Sequence, residues 1–200
     1  VLFRSRFEIF SLASASDTGA EVQWQRHSQG LIRLASQVAS IPTVSLSQHQ
    51  TECSHPCDVA DHYNRCRQHQ IDYGNSFQGI QQLWKGNGKA LAQLQLPTTL
   101  VGDSTDYDIH PALLDAALQV LFALDSETDT TTYLPVAIDH VEVYRRPGLN
   151  LWALGQRQTT EHSAGLSAQI QLMDESGQLI ARIDGLRLRA ATPAALLGLQ

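Results

Sequence analysis

A segment of fifteen residues, HPALLDAALQVLFAL at positions 110–124, constrains this fold more than any other part of the chain. Pro111 suits the first turn of a helix, where its missing N–H leaves no hydrogen bond unmade. The apolar residues that follow cover every side of the helical cylinder, and a helix that is apolar all round must be buried all round. The sequence therefore predicts one central helix at 110–124 that the other elements enclose.

Two polar residues interrupt this apolar helix. Asp115 and Gln119 are four positions apart, so they share a face and can touch. Burial raises the pKa of a carboxyl group, and a carboxylic acid that stays protonated near neutral pH can serve as a general acid. The alternative is a structural aspartate that satisfies backbone groups at the end of a helix or strand. The spacing by itself leaves both interpretations open.

Strand patterns precede and follow this helix. Hydrophobic and polar residues alternate along 165–174 and 177–190, a period of two that is typical of an antiparallel sheet with one buried face. The remaining predicted elements are a strand pair at 7–13 and 21–34, a helix at 58–70 with Asp58 as its N-cap, a hairpin at 79–97 around Gly-Asn-Gly, and strands at 132–144 and 149–157. The predicted fold class is α+β, with an antiparallel sheet wrapped around a central helix.

Composition excludes several classes of protein. The 200 residues are 42% hydrophobic and 17% charged, the profile of one globular domain. A net charge of −6 argues against a nucleic-acid partner, because phosphate binding requires a basic face. No apolar run approaches the roughly 18 residues of a membrane span, and three cysteines do not suit a disulfide framework. We therefore expect a cytoplasmic protein with neither nucleic-acid nor membrane partners.

Both ends of the chain and one internal stretch are predicted to lie outside the folded units. Val1–Ser5 can be back-translated as GTG CTC TTC CGA TCT, the tail of a common DNA sequencing adapter, so we interpret them as a read artefact, with the native protein continuing upstream of Arg6. Five ordinary residues that happen to permit this spelling are the alternative. Residues 35–58 are rich in Ser, Thr, Gln and Pro without a period and are predicted to be a linker, and 191–200 are predicted to be an exit linker.

Four short motifs occur in the order that characterises the dehydratase domains of modular (type I) polyketide synthases. HPALLDAALQ (110–119) resembles their Asp-x-x-x-Gln motif, and YGNSFQG (73–79) resembles their Tyr-Gly-Pro-x-Phe motif. LPVAIDHV (134–141) is similar to their Leu-Pro-Phe segment, and GLRLR (185–189) is similar to their closing strand. Each motif alone is weak, but four in order favour the catalytic interpretation of the helix carboxyl. The resemblance covers residues 7–190 and corresponds to the C-terminal portion of such a domain.

The resemblance implies a double hotdog, in which two similar units each wrap a curved antiparallel sheet around a central helix. Residues 6–34, whose WQRHSQGLI segment resembles the end of the first half, would be the last strands of the first hotdog unit, and 59–190 would be an essentially complete second unit. The implied reaction removes water from a 3-hydroxyacyl chain on acyl carrier protein and yields a 2,3-enoyl thioester. A histidine of the first unit takes the C2 proton, and an aspartate of the second unit protonates the leaving hydroxyl.

The resemblance also implies roles for individual residues. Asp115 is the implied general acid, and Gln119 is the amide that orients it. The implied substrate-binding residues are Tyr73, Gly74, Phe77, Leu134 and Pro135. Tyr73 would hydrogen-bond near the active site, whereas the other four would shape or line the acyl tunnel. Core packing is the alternative for each of these five residues.

Cofactors and partners follow from the same resemblance. It implies no metal and no redox cofactor, because the thioester already acidifies the C2 proton. The substrate would arrive on the phosphopantetheine of acyl carrier protein, and other polyketide synthase domains and a second copy of the chain are the further expected partners. The arginines that could meet the acidic carrier protein or the phosphate of its arm are Arg145, Arg146, Arg182, Arg187 and Arg189. Solvated arginines on a strand face are the alternative explanation.

The sequence departs from the family pattern in three respects. The family's catalytic histidine lies in His-x-x-x-Gly-x-x-x-x-Pro, and none of the eight histidines is followed by glycine four positions later. Asn75 and Val136 stand where the family usually has proline and phenylalanine. We therefore expect the base to lie outside these 200 residues and the chain alone to have little or no activity. The alternative functions are a catalytically silent dehydratase-like domain with a structural or docking role, and a product-template-like cyclase.

A second group of chemistry-bearing residues lies in CSHPCDVADHYNRCRQH, positions 53–69. Its potential zinc ligands are Cys53, Cys57, His62, Cys66 and His69. The common paired-ligand spacings are absent, so we favour a surface helix with incidental histidines over a zinc site.

Overall fold

The computed structural model of the chain describes residues 4–12, 24–34, 40–124, 131–158 and 166–191. Apart from Ala191, the predicted exit linker therefore lies outside the described residues. The chain divides into two compact units, Val1–Ser40 and Ile41–Gln200. None of the helices in the described ranges has the length and hydropathy of a membrane-spanning segment.

The first unit contains an antiparallel strand pair, β1 (Arg4–Leu12) and β2 (Trp24–Arg33). This confirms the predicted pair, whose connecting turn lies outside the described residues. Arg4 and Ser5, which the sequence analysis assigned to a read artefact, form the start of β1 and continue its antiparallel pairing to the end of β2. The artefact itself stays a prediction.

The described part of the second unit contains three α-helices and eight strands. The helices are α1 (Leu46–Glu52), α2 (Val59–Gln68) and α3 (Pro111–Gln119). The strands are β3 (His55–Cys57), β4 (Ile80–Gly86), β5 (Lys89–Gln95), β6 (Tyr133–Ala137), β7 (His140–Val143), β8 (Asn150–Gln158), β9 (Leu166–Met173) and β10 (Leu179–Ala190). They form one antiparallel sheet in the order β3-β4-β5-β8-β9-β10-β6, and β7 also pairs with β10.

The predicted central helix is α3, and its N-terminus forms for local reasons. His110 is the N-cap, and its imidazole Nδ1 accepts a hydrogen bond from the Ala112 N–H at 3.1 Å. Pro111 occupies the first turn, as predicted. The helix continues as a 3-10 turn at Val120–Leu124, so the predicted helix 110–124 consists of one α-helix and one 3-10 turn.

Close packing between α3 and one face of the sheet builds the main core. Ala116 and Ala117 have no exposed surface, and small side chains here let the helix approach β5, β8 and β9. Gly155 on β8 serves the same purpose, because a Cβ at that position would lie 2.9 Å from the Leu121 side chain. The predicted α+β class, a sheet around a buried helix, is confirmed.

Two local predictions outside the central helix are also confirmed. Asp58 caps α2, because its carboxylate accepts a hydrogen bond from the Asp61 N–H at 2.9 Å. The hairpin β4–β5 turns at Asn87 and Gly88, whose φ angles of 49° and 71° match the left-handed pair that an Asn-Gly turn requires.

The predicted linker at 35–58 is wrong for its described part, which contains α1 and β3. Leu46 and Cys53 pack on the face of the sheet opposite α3, in a second apolar cluster with Leu91. The sequence pattern missed this segment because α1 has only seven residues and no fully buried residue, too few to produce a period. The second unit therefore begins before α2, at Ile41.

The predicted strand at 132–144 is two strands, β6 and β7, which both pair with β10. At the break, the Asp139 N–H donates to the Gly185 carbonyl at 3.3 Å. Gly185 has a φ of 62°, and a Cβ there would overlap the Asp139 carboxylate. The apolar residues move from even positions (Leu134, Val136 and Ile138) to odd positions (Val141 and Val143) across this bend, a change of phase that the sequence analysis did not use.

Candidate active site

Asp115 and Gln119 form the centre of the candidate site on α3. Gln119 Nε2 donates to Asp115 Oδ2 at 2.7 Å and to the Phe77 carbonyl oxygen at 2.9 Å. Gln119 is only 1% exposed, whereas Asp115 is half-buried and lines a cavity. The predicted i,i+4 contact between the two side chains is therefore present, and the amide is anchored on a second residue as well.

Burial favours the neutral forms of two groups in the site, the Asp115 carboxyl and the Tyr73 phenol. Burial raises the pKa of Asp115 above its usual value, and the hydrogen bond from Gln119 offsets only part of this rise. Burial, followed by the nearby charge of Asp115, also raises the pKa of the Tyr73 phenol. A neutral carboxyl can donate a proton, and a neutral phenol can donate a hydrogen bond.

The cavity beside Asp115 has a volume of about 190 Å³ and mostly apolar walls. Tyr73, Leu134 and Pro135, three of the residues proposed to bind substrate, line it together with Asp115. They come from different parts of the chain, because Tyr73 follows α2 and the Leu-Pro pair belongs to β6. The fold thus brings the carboxyl, the phenol and the Leu-Pro segment to one cavity.

Gly74 and Phe77, the other two residues expected to bind substrate, do not line the cavity. A Cβ at Gly74 would meet no heavy atom within 4 Å, so close packing among the described residues does not require glycine at this position. The Phe77 side chain is 43% exposed. Its contribution is the backbone carbonyl that accepts from Gln119, a role that a side-chain motif cannot reveal.

Arg157 lines the cavity and was missed by the sequence analysis. Burial lowers the pKa of its guanidinium. The strand pattern of β8 could have indicated this position. Leu151, Ala153 and Gly155 are buried with a period of two, and Arg157 is the next residue in that series. Leu118 and Phe122, from α3 and the turn that follows it, are further lining residues that the helical pattern had marked only as core.

The arginines that were predicted to meet the carrier protein are not among the residues that line this cavity. Arg145, Arg146, Arg182 and Arg187 form ion pairs with Asp174, Asp108, Asp184 and Asp139, respectively. These four arginines therefore have acidic partners within the chain.

The zinc alternative is not supported by the structure. Among the described residues, no three His, Cys, Asp or Glu side chains are grouped to hold a metal ion. The favoured surface helix is present as α2, and its buried face encloses His62 and Cys66, with Nε2 and Sγ 3.9 Å apart. Burial lowers the pKa of His62 to about 4 and raises that of Cys66 to about 11, so both groups are neutral near pH 7.

A larger groove of about 590 Å³ lies on the opposite face of the sheet, beside α1. It is wide open, and its titratable lining residue is the carboxylate of Glu175. We regard the smaller cavity as the candidate active site, because it combines enclosure with a carboxyl of raised pKa.

Comparison with known proteins identifies the family. A family model described as the polyketide synthase dehydratase N-terminal domain matches residues 41–198. Polyketide synthase PksN of Bacillus subtilis (strain 168) is 30% identical over 185 residues, which are 92% of this chain and 3% of PksN. Polyketide synthase GfsB of Streptomyces halstedii is 31% identical over 176 residues, 84% of this chain and 3% of GfsB. The chain belongs to the polyketide synthase dehydratase family.

Solved dehydratase domains have the same fold. The dehydratase domain from the CurF module of the curacin polyketide synthase is 37% identical with a TM-score of 0.83, over 94% of this chain and 65% of that one. An inactive His-to-Phe mutant of the CurK dehydratase is 43% identical with a TM-score of 0.83, over 96% and 66%. An inactive Asp-to-Asn mutant of CurK is 42% identical with a TM-score of 0.81. The hotdog fold that the motifs implied is confirmed.

The chain spans only part of each of these relatives. It covers 65–66% of the solved CurF and CurK dehydratase chains and 3–4% of the curated synthases PksM and PksN. The activity, substrates and partners of the whole proteins are therefore treated as proposals for this chain.

Proposed function

We propose that the protein takes part in the elimination of water from a 3-hydroxyacyl chain on acyl carrier protein, which yields a 2,3-enoyl thioester. The observation that carries this proposal is Asp115, a carboxyl of raised pKa in the wall of an apolar cavity, oriented by a buried glutamine. The family membership of the chain supports the same reaction. Inactive aspartate and histidine mutants of the CurK dehydratase fit an Asp/His pair of catalytic groups.

In the proposed mechanism, the substrate loses a proton from C2 and a hydroxyl from C3: the C2 proton passes to a base, and the hydroxyl leaves as water with a proton from the acid. A histidine base removes the C2 proton, which the thioester carbonyl acidifies. Protonated Asp115 gives its proton to the C3 hydroxyl, the C3–O bond breaks, and the C2–C3 double bond forms as water leaves. Burial supports this role, because it keeps the carboxyl protonated closer to neutral pH than a solvated aspartate.

The base is proposed to be a histidine from outside these 200 residues. None of the described residues that line the cavity is a histidine. His110 is the histidine nearest to Asp115 in the sequence. Its Nδ1 caps α3 by accepting a hydrogen bond from the Ala112 N–H.

The cavity supports a role for its other residues in binding the acyl chain. Leu134 and Pro135 offer an apolar wall, and Tyr73 offers a hydroxyl close to Asp115. We propose that the chain uses no metal or redox cofactor and that its partners are acyl carrier protein and other polyketide synthase domains. The curated relatives, which are many times longer than this chain, support the second group of partners.

Activity of the domain extended upstream, as encoded by the source DNA, tests this proposal. The substrate is a 3-hydroxyacyl thioester on acyl carrier protein, and loss of water is followed by mass spectrometry. We expect Asp115→Asn to lower the rate by about 100-fold or more, because proton donation by a positioned acid contributes at least that factor. The matched control is Asp106→Asn, which removes an exposed carboxylate that does not line the cavity.

Each result of this experiment favours one function. An active extended domain that loses activity with Asp115→Asn supports the dehydratase, and the 200-residue chain alone is expected to be inactive. An extended domain that lacks the His-x-x-x-Gly-x-x-x-x-Pro motif and stays inactive supports the catalytically silent alternative. Full activity of Asp115→Asn contradicts the acid role, and a cyclised product in place of the enoyl thioester supports the product-template alternative.

A further inference from the structure

A backbone turn holds the amide that orients the carboxyl. The turn is the 3-10 segment Asn75–Phe77, and the carbonyl at its end accepts from Gln119 Nε2 at 2.9 Å. The side-chain amide of Gln78 ties the same turn to the Tyr73 carbonyl at 2.7 Å. The turn therefore connects a cavity-lining residue on one side with the Asp115–Gln119 pair on the other.

The Gln119 amide can take only one orientation in this setting. Nε2 lies 2.9 Å from the Phe77 carbonyl oxygen and 2.7 Å from Asp115 Oδ2, and each of its two hydrogens has one of these acceptors. Turning the amide over would place Oε1 against the Phe77 carbonyl, two acceptors in repulsive contact, whether or not Asp115 is protonated. Oε1 is buried without a hydrogen-bond partner among the described residues, which is the cost of this orientation.

We propose that the turn Asn75–Phe77 is a positioning element for the acid: the Phe77 carbonyl fixes Gln119 as a donor to Asp115 Oδ2, so that the carboxyl proton is carried by Oδ1. This deepens the proposed function, since it states which oxygen would deliver the proton. The hydrogen-bond chain itself does not depend on any activity. Phe77 acts here through its backbone, which fits the exposure of its ring.

A glycine sets the distance between this turn and α3. A Cβ at Gly79 would lie 3.1 Å from the Ala116 Cβ and 3.2 Å from the Gln95 carbonyl oxygen, both tighter than ordinary contact. Ala116 follows Asp115 in the helix. A methyl group at position 79 would therefore push the turn away from α3 and lengthen the hydrogen bond from the amide to the Phe77 carbonyl.

NMR on the 200-residue chain tests the positioning role without any assay of activity. The pKa of Asp115 is read from the titration of its 13Cγ shift, and hydrogen exchange of the two Gln119 Nε2 protons reports their bonds. We expect both protons to be protected in the unmodified chain. We expect Gly79→Ala to raise the pKa of Asp115, because a displaced amide stabilises the carboxylate less. Gly74→Ala is the matched control and should leave this pKa unchanged, since a Cβ there meets nothing.

Three further variants keep the test decisive if Gly79→Ala does not fold. Gln119→Met, which has a similar length and no donor, should raise the pKa of Asp115. Asp115→Asn should preserve protection of both Gln119 protons, because its amide oxygen can replace Oδ2, whereas Asp115→Leu should expose one of them. The proposal is overturned if either Gln119 proton exchanges freely in the unmodified chain, or if folded Gly79→Ala and Gln119→Met leave the pKa of Asp115 unchanged. A silent domain would still show the expected pattern, so failure of the catalytic proposal is a separate result.

Discussion

The position of Asp115 in the helix is expected to lower the free energy of unfolding at neutral pH, where the buried carboxyl is ionised. Its side chain is half-buried in an apolar wall, and its hydrogen-bond partner among the described residues is one neutral amide, that of Gln119. A carboxylate in such a place is less well solvated than in the unfolded chain, which is why its pKa rises. A residue kept at this cost is a candidate for chemistry.

The raised pKa of Asp115 predicts how Asp115→Asn changes the free energy of unfolding. The pKa of Asp115 in the folded state lies above its unfolded value of 3.8, so the native state binds the proton more tightly. The associated stability is fully present below the unfolded pKa and is lost as pH rises through the folded pKa. At pH 7 we therefore expect Asp115→Asn to raise the free energy of unfolding, with the gain disappearing below about pH 3.8.

Urea unfolding of both proteins at pH 7 and at acidic pH measures this difference. The exposed substitution Asp106→Asn serves as the control for a general loss of negative charge. A variant less stable than the unmodified chain at pH 7 would show that the carboxylate is stabilised in the fold, contrary to the direction of its pKa.

At the scale of elements, short local rules account for where helices and hairpins begin. α2 starts at Asp58, whose side chain satisfies a backbone N–H that the helix leaves unpaired, and α3 starts with His110 and Pro111. The hairpin β4–β5 turns where Asn87 and Gly88 accept a left-handed backbone. These rules involve residues within four positions of each other, which is why they could be recognised in the sequence.

The cap of α2 yields a quantitative prediction. Asp58→Ala removes the acceptor of the Asp61 N–H, so we expect the free energy of unfolding to fall by about 1 kcal/mol. Asp58→Asn keeps an oxygen acceptor and should lie within a few tenths of a kcal/mol of the unmodified chain. Denaturation by urea at pH 7 measures both variants. Equal stability of the Ala and Asn variants would contradict the importance of the cap.

At the scale of the whole molecule, segments distant in sequence cover the two faces of one sheet. α3 covers one face, and the segment that leads into α1 covers part of the other. This segment is tied to the turn before β10: the Val44 N–H donates to the Gly177 carbonyl at 2.9 Å, and the Leu179 N–H donates to the Pro42 carbonyl at 3.0 Å. A Cβ at Gly177 would overlap the Val44 carbonyl, so glycine is needed for this approach.

A second tie between α1 and the sheet predicts sensitivity to acid. The hydrogen bond from Lys89, at 2.5 Å, is the largest cause that lowers the pKa of Glu52 from 4.5 to about 2. A pKa lowered in the folded state contributes stability that is present above pH 4.5 and lost as pH falls through about 2. We expect Lys89→Met to reduce this loss, because Glu52 then lacks the largest of the causes that lower its pKa in the folded chain, while the hydrogen bond from Gln48 remains.

Thermal unfolding between pH 6 and about pH 2 measures the effect. Arg67→Met is the matched control, because it removes the same charge from a side chain that pairs with Asp72 instead. An identical acid profile for Lys89→Met and the unmodified chain would contradict the assigned role of the Lys89–Glu52 pair.

The sequence predicted those residues of the candidate site that side-chain type and spacing can reveal. Asp115 and Gln119 stand out because polar residues four apart interrupt an apolar helix, and Tyr73, Leu134 and Pro135 belong to motifs that can be matched in order. Their presence around one cavity agrees with that prediction of position. Their chemical roles remain predictions.

The unpredicted part depends on contacts that leave no mark in residue type. Any residue has a backbone carbonyl, so nothing in the sequence could reveal that the one at Phe77 would hold an amide 42 positions away. α1 was missed because its seven residues pack through a few long-range contacts rather than a periodic face.

The sequence by itself determined the buried helix, the alternating strands, the caps and turns, and the family, because each depends on local patterns of polarity or on short motifs. The tertiary structure decided which face of the sheet each segment covers, where the strand at 132–144 breaks, and which oxygen of Asp115 the amide occupies. Those features arise from packing and hydrogen bonds between residues far apart in the chain. Their geometry exists only once the whole unit has folded.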